Sequence, residues 1–178
     1  MGVFIYNMKP RLVKFTKRVQ DSRLCQQVRK VRYEYLNSLG TMHGGDIYKI
    51  MDEVAACVAE SHSGRPCVTR WDEGGYLRAV LPTDTLVIEG YITRTWKTSM
   101  EVGVQVYKVE WEERTRLLHL VAIRQYVFVA LDSDAKPVPV SAVIPTTKFE
   151  KMRYRLAAKR RKLRLALGAL QDPLLKKS

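Results

Sequence analysis

The spacing of apolar residues along this chain changes from three or four to two, and each spacing predicts one kind of element. From Gly44 to about Ser61 apolar residues recur every three or four positions, which is typical of an amphipathic helix. The residues that set this spacing are Ile47, Ile50, Met51, Val54, Ala55 and Val58. Ser63 and Gly64, with Pro66 just beyond them, predict the end of the helix.

Beyond this helix the spacing falls to two. Met100, Val102, Val104 and Val106 alternate with Glu101, Gly103, Gln105 and Tyr107, as in a strand with one buried face. Further strands are predicted over residues 22–32, 67–77, 86–95 and 117–131, of which 67–77 is the weakest. A second, basic helix opens at Pro145, with a rough apolar stripe of Phe149, Met152, Leu156 and Leu163.

Strands that follow one another without a helix between them pair antiparallel. The sequence therefore predicts an α+β fold in which one long helix packs on one face of an antiparallel sheet. A chain of 178 residues is most simply one domain with its own core.

Composition changes this picture only in detail. The chain is 46% hydrophobic and 28% charged, as in a globular protein, and no apolar run approaches the roughly 18–20 residues that span a bilayer. The N-terminus has neither the apolar core nor the cleavage site of a signal peptide. The three cysteines, at positions 25, 57 and 67, are odd in number and lack a paired spacing, which favours a reducing, cytoplasmic setting.

Positive charge is concentrated at the two ends of the chain. The net charge is +13, with +8 in residues 1–32 and +9 in residues 148–178, so the region between them carries −4. Any anion that the charge attracts is therefore attracted to the arms.

The first helix carries two anomalies. Gly44 and Gly45 stand at its start, although glycine is a poor helix former, and Asp52 stands among its apolar residues, where a carboxylate is costly. A helix N-terminus presents unpaired backbone N–H groups, and glycine lets a ligand approach them because it has no Cβ. The glycines therefore predict an oxyanion site.

The surrounding residues resemble a known signature. Asn37 and Gly40, followed by His43-Gly44-Gly45 and then Asp52-Glu53, resemble the hot-dog-fold acyl-CoA thioesterases, above all the YciA-like hydrolases and the brain-type cytosolic acyl-CoA hydrolases. The likeness covers roughly residues 22–145 and continues through Thr98–Val102, Phe128–Ala130 and Pro137–Pro139.

The resemblance implies a hot-dog fold, with an antiparallel sheet of five or six strands wrapped around one long central helix and a basic C-terminal helix outside it. It implies hydrolysis of acyl-CoA to free CoA and a carboxylic acid in lipid metabolism, without a metal or cofactor, by a dimer that assembles further into a homohexamer. It divides the chain into a basic N-terminal segment (1–21), the thioesterase domain (22–145) and a basic helix and tail (146–178).

The resemblance also implies roles for individual residues. Asp52 is the general base or the nucleophile, and Asn37 positions the thioester or the water. His43, Gly44 and Gly45 bind the substrate carbonyl and its oxyanion. Lys97, Thr98 and Ser99 lie where the family lines the path of CoA.

Helix geometry adds one expectation of its own. Asp52 is seven residues after Gly45, which places it about 10 Å further along the helix axis. A water that attacks a carbonyl must lie near 3 Å from both its activator and the carbon. We therefore expect composite sites at a two-fold interface, with donors from one subunit and Asp52 from the other.

The chain departs from the family pattern in three places. A Phe-x-x-Pro segment is replaced by Tyr76–Ala79, a glycine before the Thr-Ser pair is replaced by Trp96-Lys97, and bulky or charged residues occupy 68–71. These departures affect substrate size and pantetheine contacts.

Alternative interpretations remain. One is a hot-dog dehydratase of hydroxyacyl thioesters, and another is a non-enzymatic nucleic-acid or acyl-CoA binder. The basic arms suit CoA phosphates, nucleic acid, acidic lipid or plain solvation, although no nucleic-acid-binding motif accompanies them. Asp52 alone would read as a buried acid bonded to a helix end or an arginine, and His62 as a cation at a helix end. Cys57, His62 and Cys67 do not fit a zinc spacing.

Overall fold

A long helix lies on one face of a five-stranded antiparallel sheet in the computed structural model, which describes residues 16–19 and 25–171. The helices are α1 (Gly44–Ser63) and α2 (Lys148–Gln171). The strands are β1 (Thr16–Arg18), β2 (Gln26–Lys30), β3 (Cys67–Tyr76), β4 (Thr85–Thr95), β5 (Ser99–Glu112), β6 (Thr115–Ala130) and β7 (Ala142–Ile144). The sheet order is β2-β4-β5-β6-β3, and β1 pairs separately with β7 in parallel.

This arrangement confirms the predicted α+β hot-dog fold, with five strands in the main sheet. Helix α1 runs two residues beyond its predicted end and stops where Gly64 adopts a φ of 67°, which glycine tolerates without strain. The predicted first strand is shorter than expected, and residues 22–24 of it lie outside the described residues. So do most of the basic N-terminal segment and residues 172–178.

Helix α1 packs unusually close to β4. Its buried side includes Met51, Val54 and Val58, which are fully enclosed against the sheet. A Cβ on Gly90 would come within 2.7 Å of a Val58 methyl and 2.9 Å of a Val54 methyl. Gly90 therefore lets the helix rest directly on the strand backbone.

The C-terminal end of α1 differs from the sequence interpretation, which treated His62 as a helix-end cation. His62 is buried, donates from Nε2 to the Ser141 carbonyl at 2.9 Å, and has a pKa lowered chiefly by burial. The cation at this end is Lys17, whose ammonium donates to the carbonyls of His62 at 2.7 Å and Ser61 at 3.2 Å. The interpretation of His62 was wrong because β1 brings another charge there.

The expectation that the cysteines are unpaired was also wrong. Cys25, just before β2, forms a disulfide with Cys57 on α1 across a sequence separation of 32. The spacing of the two residues gives no sign of this contact, because it depends on β2 lying beside the helix. Cys67 is a free, half-buried thiol.

Helix α2 covers the opposite face of the sheet from α1. Glu101 and Gln105 alternate with the core residues Val102 and Val104, so they point away from α1. Glu101 is fully buried there and accepts hydrogen bonds from Thr93 at 2.7 Å, Arg160 at 2.5 Å and Arg164 at 3.0 Å. Two arginines of α2 thus dock the helix on one enclosed carboxylate.

The start of α2 is fixed by a capping box. Thr147 Oγ1 accepts from the backbone N–H of Glu150, and Glu150 Oε2 accepts from the N–H of Thr147, both at 3.1 Å. Because this cap defines the first turn, the helix begins at Lys148, three residues after Pro145. In the described part of the chain neither helix combines the length and apolarity that crossing a bilayer requires.

Candidate active site

The loop before α1 is held by the side chain of Asn37. Its Oδ1 accepts from the backbone N–H of Leu39 at 2.9 Å and of Thr41 at 3.3 Å, and its Nδ2 donates to Thr41 Oγ1 at 3.0 Å. Gly40 takes a φ of 72° within the same turn. Asn37 therefore sets the path of the chain into the start of the helix.

His43 is the N-cap of α1. Its Nδ1 accepts from the backbone N–H of Gly45 at 3.0 Å, which leaves Nε2 as the ring's donor. The amides of Met42 and His43 donate to the carbonyls of Val80 and Tyr35. Within the described residues the amide of Gly44 has no hydrogen-bond partner. Of the two glycines, Gly44 is thus the one with an amide open to a ligand.

Tyr76 forms one wall beside this amide. Its hydroxyl donates to the Gly44 carbonyl at 2.7 Å, and a Cβ on Gly44 would lie 3.4 Å from its ring. A cavity of about 380 Å³ adjoins the same helix start and is lined also by Met42, Ile47, Arg78 and Val80. In the sequence Tyr76 stands out only as a departure from the family pattern, whereas the cavity places it at the candidate site.

Asp52 lies half-buried two turns further along α1. Burial is the main cause that raises its pKa, and the charges of Asp72 and then Glu53 raise it further. Tyr48, one turn earlier on the same helix face, donates from its hydroxyl to Asp72 Oδ2 at 3.0 Å. Arg124 pairs with the other oxygen of Asp72. An ionisable carboxylate thus stands near a second carboxylate that is paired with an arginine.

A buried hydroxyl completes this group of side chains. Tyr126 is fully buried against Tyr48, with ring centroids 6.2 Å apart, and its hydroxyl has no hydrogen-bond partner among the described residues. Burial raises its pKa, and the charge of Asp52 contributes. The register pairs Tyr126 with Asp72 and Phe128 with Thr69, so Thr69 and Asp72 project from the sheet face that carries α1.

The residues predicted for CoA lie at the other end of the molecule. Lys97 and Thr98 lie in the turn between β4 and β5, Ser99 is the first residue of β5, and the Lys97 carbonyl accepts from the Val140 amide. The neighbouring Ser141 accepts from His62 at the end of α1. Helix α1 is 20 residues long, so this turn is about 30 Å from Gly44. A single chain therefore keeps the two predicted halves of a substrate site apart.

Sequence reasoning missed several neighbours of Asp52. The sequence alone could have indicated Tyr48, because Tyr48 precedes Asp52 by four residues and so lies on the same helix face. The sequence alone could not have indicated Asp72 and Arg124, since their approach to Asp52 depends on the register of β3 with β6 and on a bulge between Thr69 and Trp71. No group of His, Cys, Asp and Glu in the described ranges is arranged to hold a metal ion.

Comparison with known proteins defines the class. The thioesterase superfamily matches residues 39–113. The uncharacterized acyl-CoA thioester hydrolase YkhA of Bacillus subtilis is 33% identical over 146 residues, which are 79% of this chain and 84% of that protein. The chain therefore belongs to the thioesterase superfamily. The cytosolic acyl coenzyme A thioester hydrolase of Rattus norvegicus is 32% identical over 116 residues, 65% of this chain but only 30% of that protein.

Solved structures agree in fold. An apo-hexameric acyl-CoA thioesterase superposes with a TM-score of 0.81 at 34% identity and covers 88% of this chain and 99% of its own. An acyl-CoA hydrolase of Staphylococcus aureus, in complex with butyryl-CoA, CoA and CoA disulfide, gives 0.82 at 29% identity and covers 90% and 97%. Alanine variants of that hydrolase at an aspartate, a threonine and an asparagine are also solved. In that hydrolase the altered asparagine lies 15 residues before the altered aspartate, and the altered threonine lies 17 residues after the aspartate.

Proposed function

We propose that this protein hydrolyses acyl-CoA to free CoA and a carboxylic acid. The observation that carries the proposal is the presence, on one helix, of an unpartnered N-terminal amide at Gly44 and a half-buried carboxylate at Asp52 with a raised pKa. The first suits a developing oxyanion, and the second suits a general base near neutral pH. The names of the relatives support the choice of acyl-CoA as substrate.

The Gly44 amide and the positive end of α1 stabilise negative charge on the thioester oxygen. The Gly45 amide is engaged by His43, so its part is to hold that imidazole, whose Nε2–H is free to donate to the same oxygen. Tyr76 shields the site from one side. Asn37 acts by fixing the loop that leads into these donors.

Asp52 takes a proton from a water as the water oxygen adds to the thioester carbon. The tetrahedral intermediate then collapses, the carbon–sulfur bond breaks, and the proton passes to the departing CoA thiolate. Direct attack by the Asp52 carboxylate, giving an anhydride that water opens, uses the same residues and remains the alternative.

Thr69 joins the proposed catalytic set. The intervals of 15 and 17 residues in the Staphylococcus aureus variants also separate Asn37, Asp52 and Thr69 in this chain. Thr69 lies on the sheet face that carries α1, which supports a hydroxyl role near the thioester. The sequence signal was present in the segment 68–71, but only its bulky neighbours were considered.

We further propose that each site is shared by two subunits. The separation of about 30 Å between Gly44 and the turn at 97–99 supports this, because two antiparallel copies of α1 bring one start next to the other end. Strand β3 has no neighbour on its outer side within the described residues and exposes Val68 and Tyr76, so it suits a two-fold contact. A hexamer of three such dimers follows the hexameric relative.

Residues 22–145 form the thioesterase domain in this proposal, and the protein acts in the cytoplasm, as the name of the rat relative indicates. The Cys25–Cys57 disulfide is unusual for that compartment, so we expect it to be reduced there for part of the time.

Release of free thiol from butyryl-, octanoyl- and palmitoyl-CoA tests the activity. Asp52→Asn, Thr69→Ala and Asn37→Ala should lower kcat/KM by about 100-fold or more if each acts in the transition state. Glu53→Gln is the matched control, because Glu53 is exposed and pairs with Arg29. A folded Asp52→Asn protein with full rate would refute the role of Asp52, and absence of thiol release from every substrate would refute the activity. Product mass separates hydrolysis from the dehydratase alternative.

A further inference from the structure

Helix α2 leaves a stripe of large apolar side chains exposed. Its members recur at intervals of three, four, seven and four residues, so they share one narrow face about 27 Å long. They are Phe149, Met152, Leu156, Leu163 and Leu167, all more than 40% exposed. Exposed apolar side chains that share one helix face in this way mark an interaction site.

A row of cations runs beside the stripe along its whole length. Its members recur at intervals of three, four, four and three residues and all are exposed. They are Lys148, Lys151, Arg155, Lys159 and Lys162. In the described part of the chain none of them takes part in an ion pair.

Other cations of α2 are engaged with the sheet. Arg160 and Arg164 bind Glu101, and the Arg153 guanidinium lies 4.0 Å from the ring centroids of Tyr91 and Phe149. The charges needed to dock the helix are therefore separate from the exposed row. The exposed row lies away from the sheet, and the apolar stripe lies between that row and the docked arginines.

Among possible occupants, only one uses both features. A nucleic acid would pair its phosphates with the cations but has no use for five aliphatic and aromatic side chains in line. A second copy of this chain that packs its own α2 symmetrically on the stripe would bring a second row of the same cations close to the first, which opposes burial there. An anionic bilayer takes the cations at its headgroups and the apolar side chains at the acyl boundary.

We propose that α2 docks the protein on membrane surfaces rich in anionic lipid. The stripe enters the headgroup–acyl boundary while the row contacts lipid phosphates and carboxylates. The helix is then an interfacial helix, parallel to the surface, and the sheet behind it holds the rest of the protein on the water side. Binding is reversible and falls with salt, because screening weakens the cationic part.

Cosedimentation of the full-length protein with vesicles tests this proposal. Vesicles of phosphatidylcholine alone are compared with vesicles that contain about 30% phosphatidylserine, at about 0.1 M and about 0.5 M salt. Strong binding is expected only to the anionic vesicles at low salt.

Two sets of variants separate the two features. Binding should weaken by about 10-fold or more in each set. The apolar set is Leu163→Ser/Leu167→Ser. The cationic set is Lys151→Gln/Arg155→Gln/Lys159→Gln, and each cation near the surface contributes about fivefold to binding. Leu165→Ser is the matched apolar control, because Leu165 is 65% exposed, as Leu163 is at 64%, but lies off the stripe. As a charge control, Arg114→Gln/Arg116→Gln/Lys136→Gln removes three exposed charges outside α2. Circular dichroism and melting temperature verify the fold of each variant.

Several results would overturn the proposal. Equal binding to neutral vesicles, or binding unchanged by both α2 sets, would remove the helix from the contact. Loss of the oligomer in the leucine variant, by light scattering, would show that the stripe is buried between copies. Release of the bound protein from vesicles by excess CoA would show that the row of cations binds substrate phosphates. Binding to duplex RNA that is tighter than binding to vesicles, and that is unchanged in Leu163→Ser/Leu167→Ser, would show that the row binds nucleic acid.

Discussion

The Tyr48 hydroxyl donates a hydrogen bond of 3.0 Å to Asp72 Oδ2 and so ties helix α1 to strand β3 beside Asp52. Arg124 holds the other Asp72 oxygen and stacks 4.8 Å from the Tyr48 ring centroid. The charges that act on Asp52 are those of Asp72 on β3 and Glu53 on its own helix, and the charge of Asp52 acts in turn on Tyr48 of α1 and Tyr126 of β6. The environment of the proposed base is built by three elements.

Asp72→Asn should move the acid limb of the kcat/KM profile to lower pH. Asp52 acts as a base only when ionised, and the negative charge of Asp72 raises its pKa. Removal of that charge, with Arg124 left in place, lowers the pKa of Asp52, so ionisation persists to lower pH. The profile of kcat/KM against pH measures this, since it reports the free enzyme. Glu53→Gln should move the limb less, because Glu53 is the weaker cause, and an unshifted limb in Asp72→Asn would contradict the assignment.

Mixed dimers should recover activity that neither parent has. One subunit carrying Asp52→Asn and another carrying Asn37→Ala would form one intact and one doubly altered site if donors and base come from different chains. Co-expression with two affinity tags, followed by thiol release, should show roughly half of the wild-type rate per dimer. Rates no higher than those of the two separate variants would show that each site lies within one chain.

Glu101→Ala should destabilise the fold by about 3–5 kcal/mol, because it leaves Arg160 and Arg164 without their buried counter-charge. Glu73 pairs with both arginines and keeps the loss near the lower figure. Denaturant unfolding measures the change. Glu34→Ala breaks an exposed pair with Arg32 and should change stability little, and the same small effect in Glu101→Ala would mean that α2 docks without this carboxylate.

Removal of the disulfide should lower the free energy of unfolding by about 3–4 kcal/mol, from the loop that a separation of 32 residues closes. The change is Cys25→Ser/Cys57→Ser, measured by denaturant unfolding without reductant. Cys67→Ser is the control, because Cys67 is unpaired. Dithiothreitol should lower the stability of the parent to that of the double variant and leave the variant unchanged. Equal stability of parent and variant would indicate that the bond does not form in solution.

Local pattern was enough to predict the elements and the residues on α1. The three-to-four spacing placed Asp52 and the glycines on one helix, and the alternation around Val102 and Val104 placed β5, because both depend on near neighbours in sequence. Local pattern could not predict the contacts that depend on the register of the strands. Asp72 approaches Tyr48 only through the pairing of β3 with β6, and Cys25 reaches Cys57 only because β2 lies beside α1.

The engagement of the Gly45 amide was beyond local pattern for a similar reason. A glycine pair at a helix start predicts open amides, but the sequence does not show which of them an N-cap side chain occupies. His43 takes the amide of Gly45, so Gly44 is the proposed donor. Likewise, the charge at the end of α1 comes from Lys17, which is 45 residues from His62 in sequence and adjacent only in the fold.

Gly90 gives the proposed reaction centre a dependence on a residue outside the proposed site. Any larger side chain there would act as a wedge between the helix and the strand on which it rests. Because the helix is rigid, the wedge would displace the proposed oxyanion donor and the proposed base in the same sense, and Gly44 further than Asp52, since Gly44 lies further from Val54 and Val58 along the helix. Gly90 lacks a Cβ methyl group in the core, and this absence helps to set geometry that catalysis needs to within fractions of an ångström.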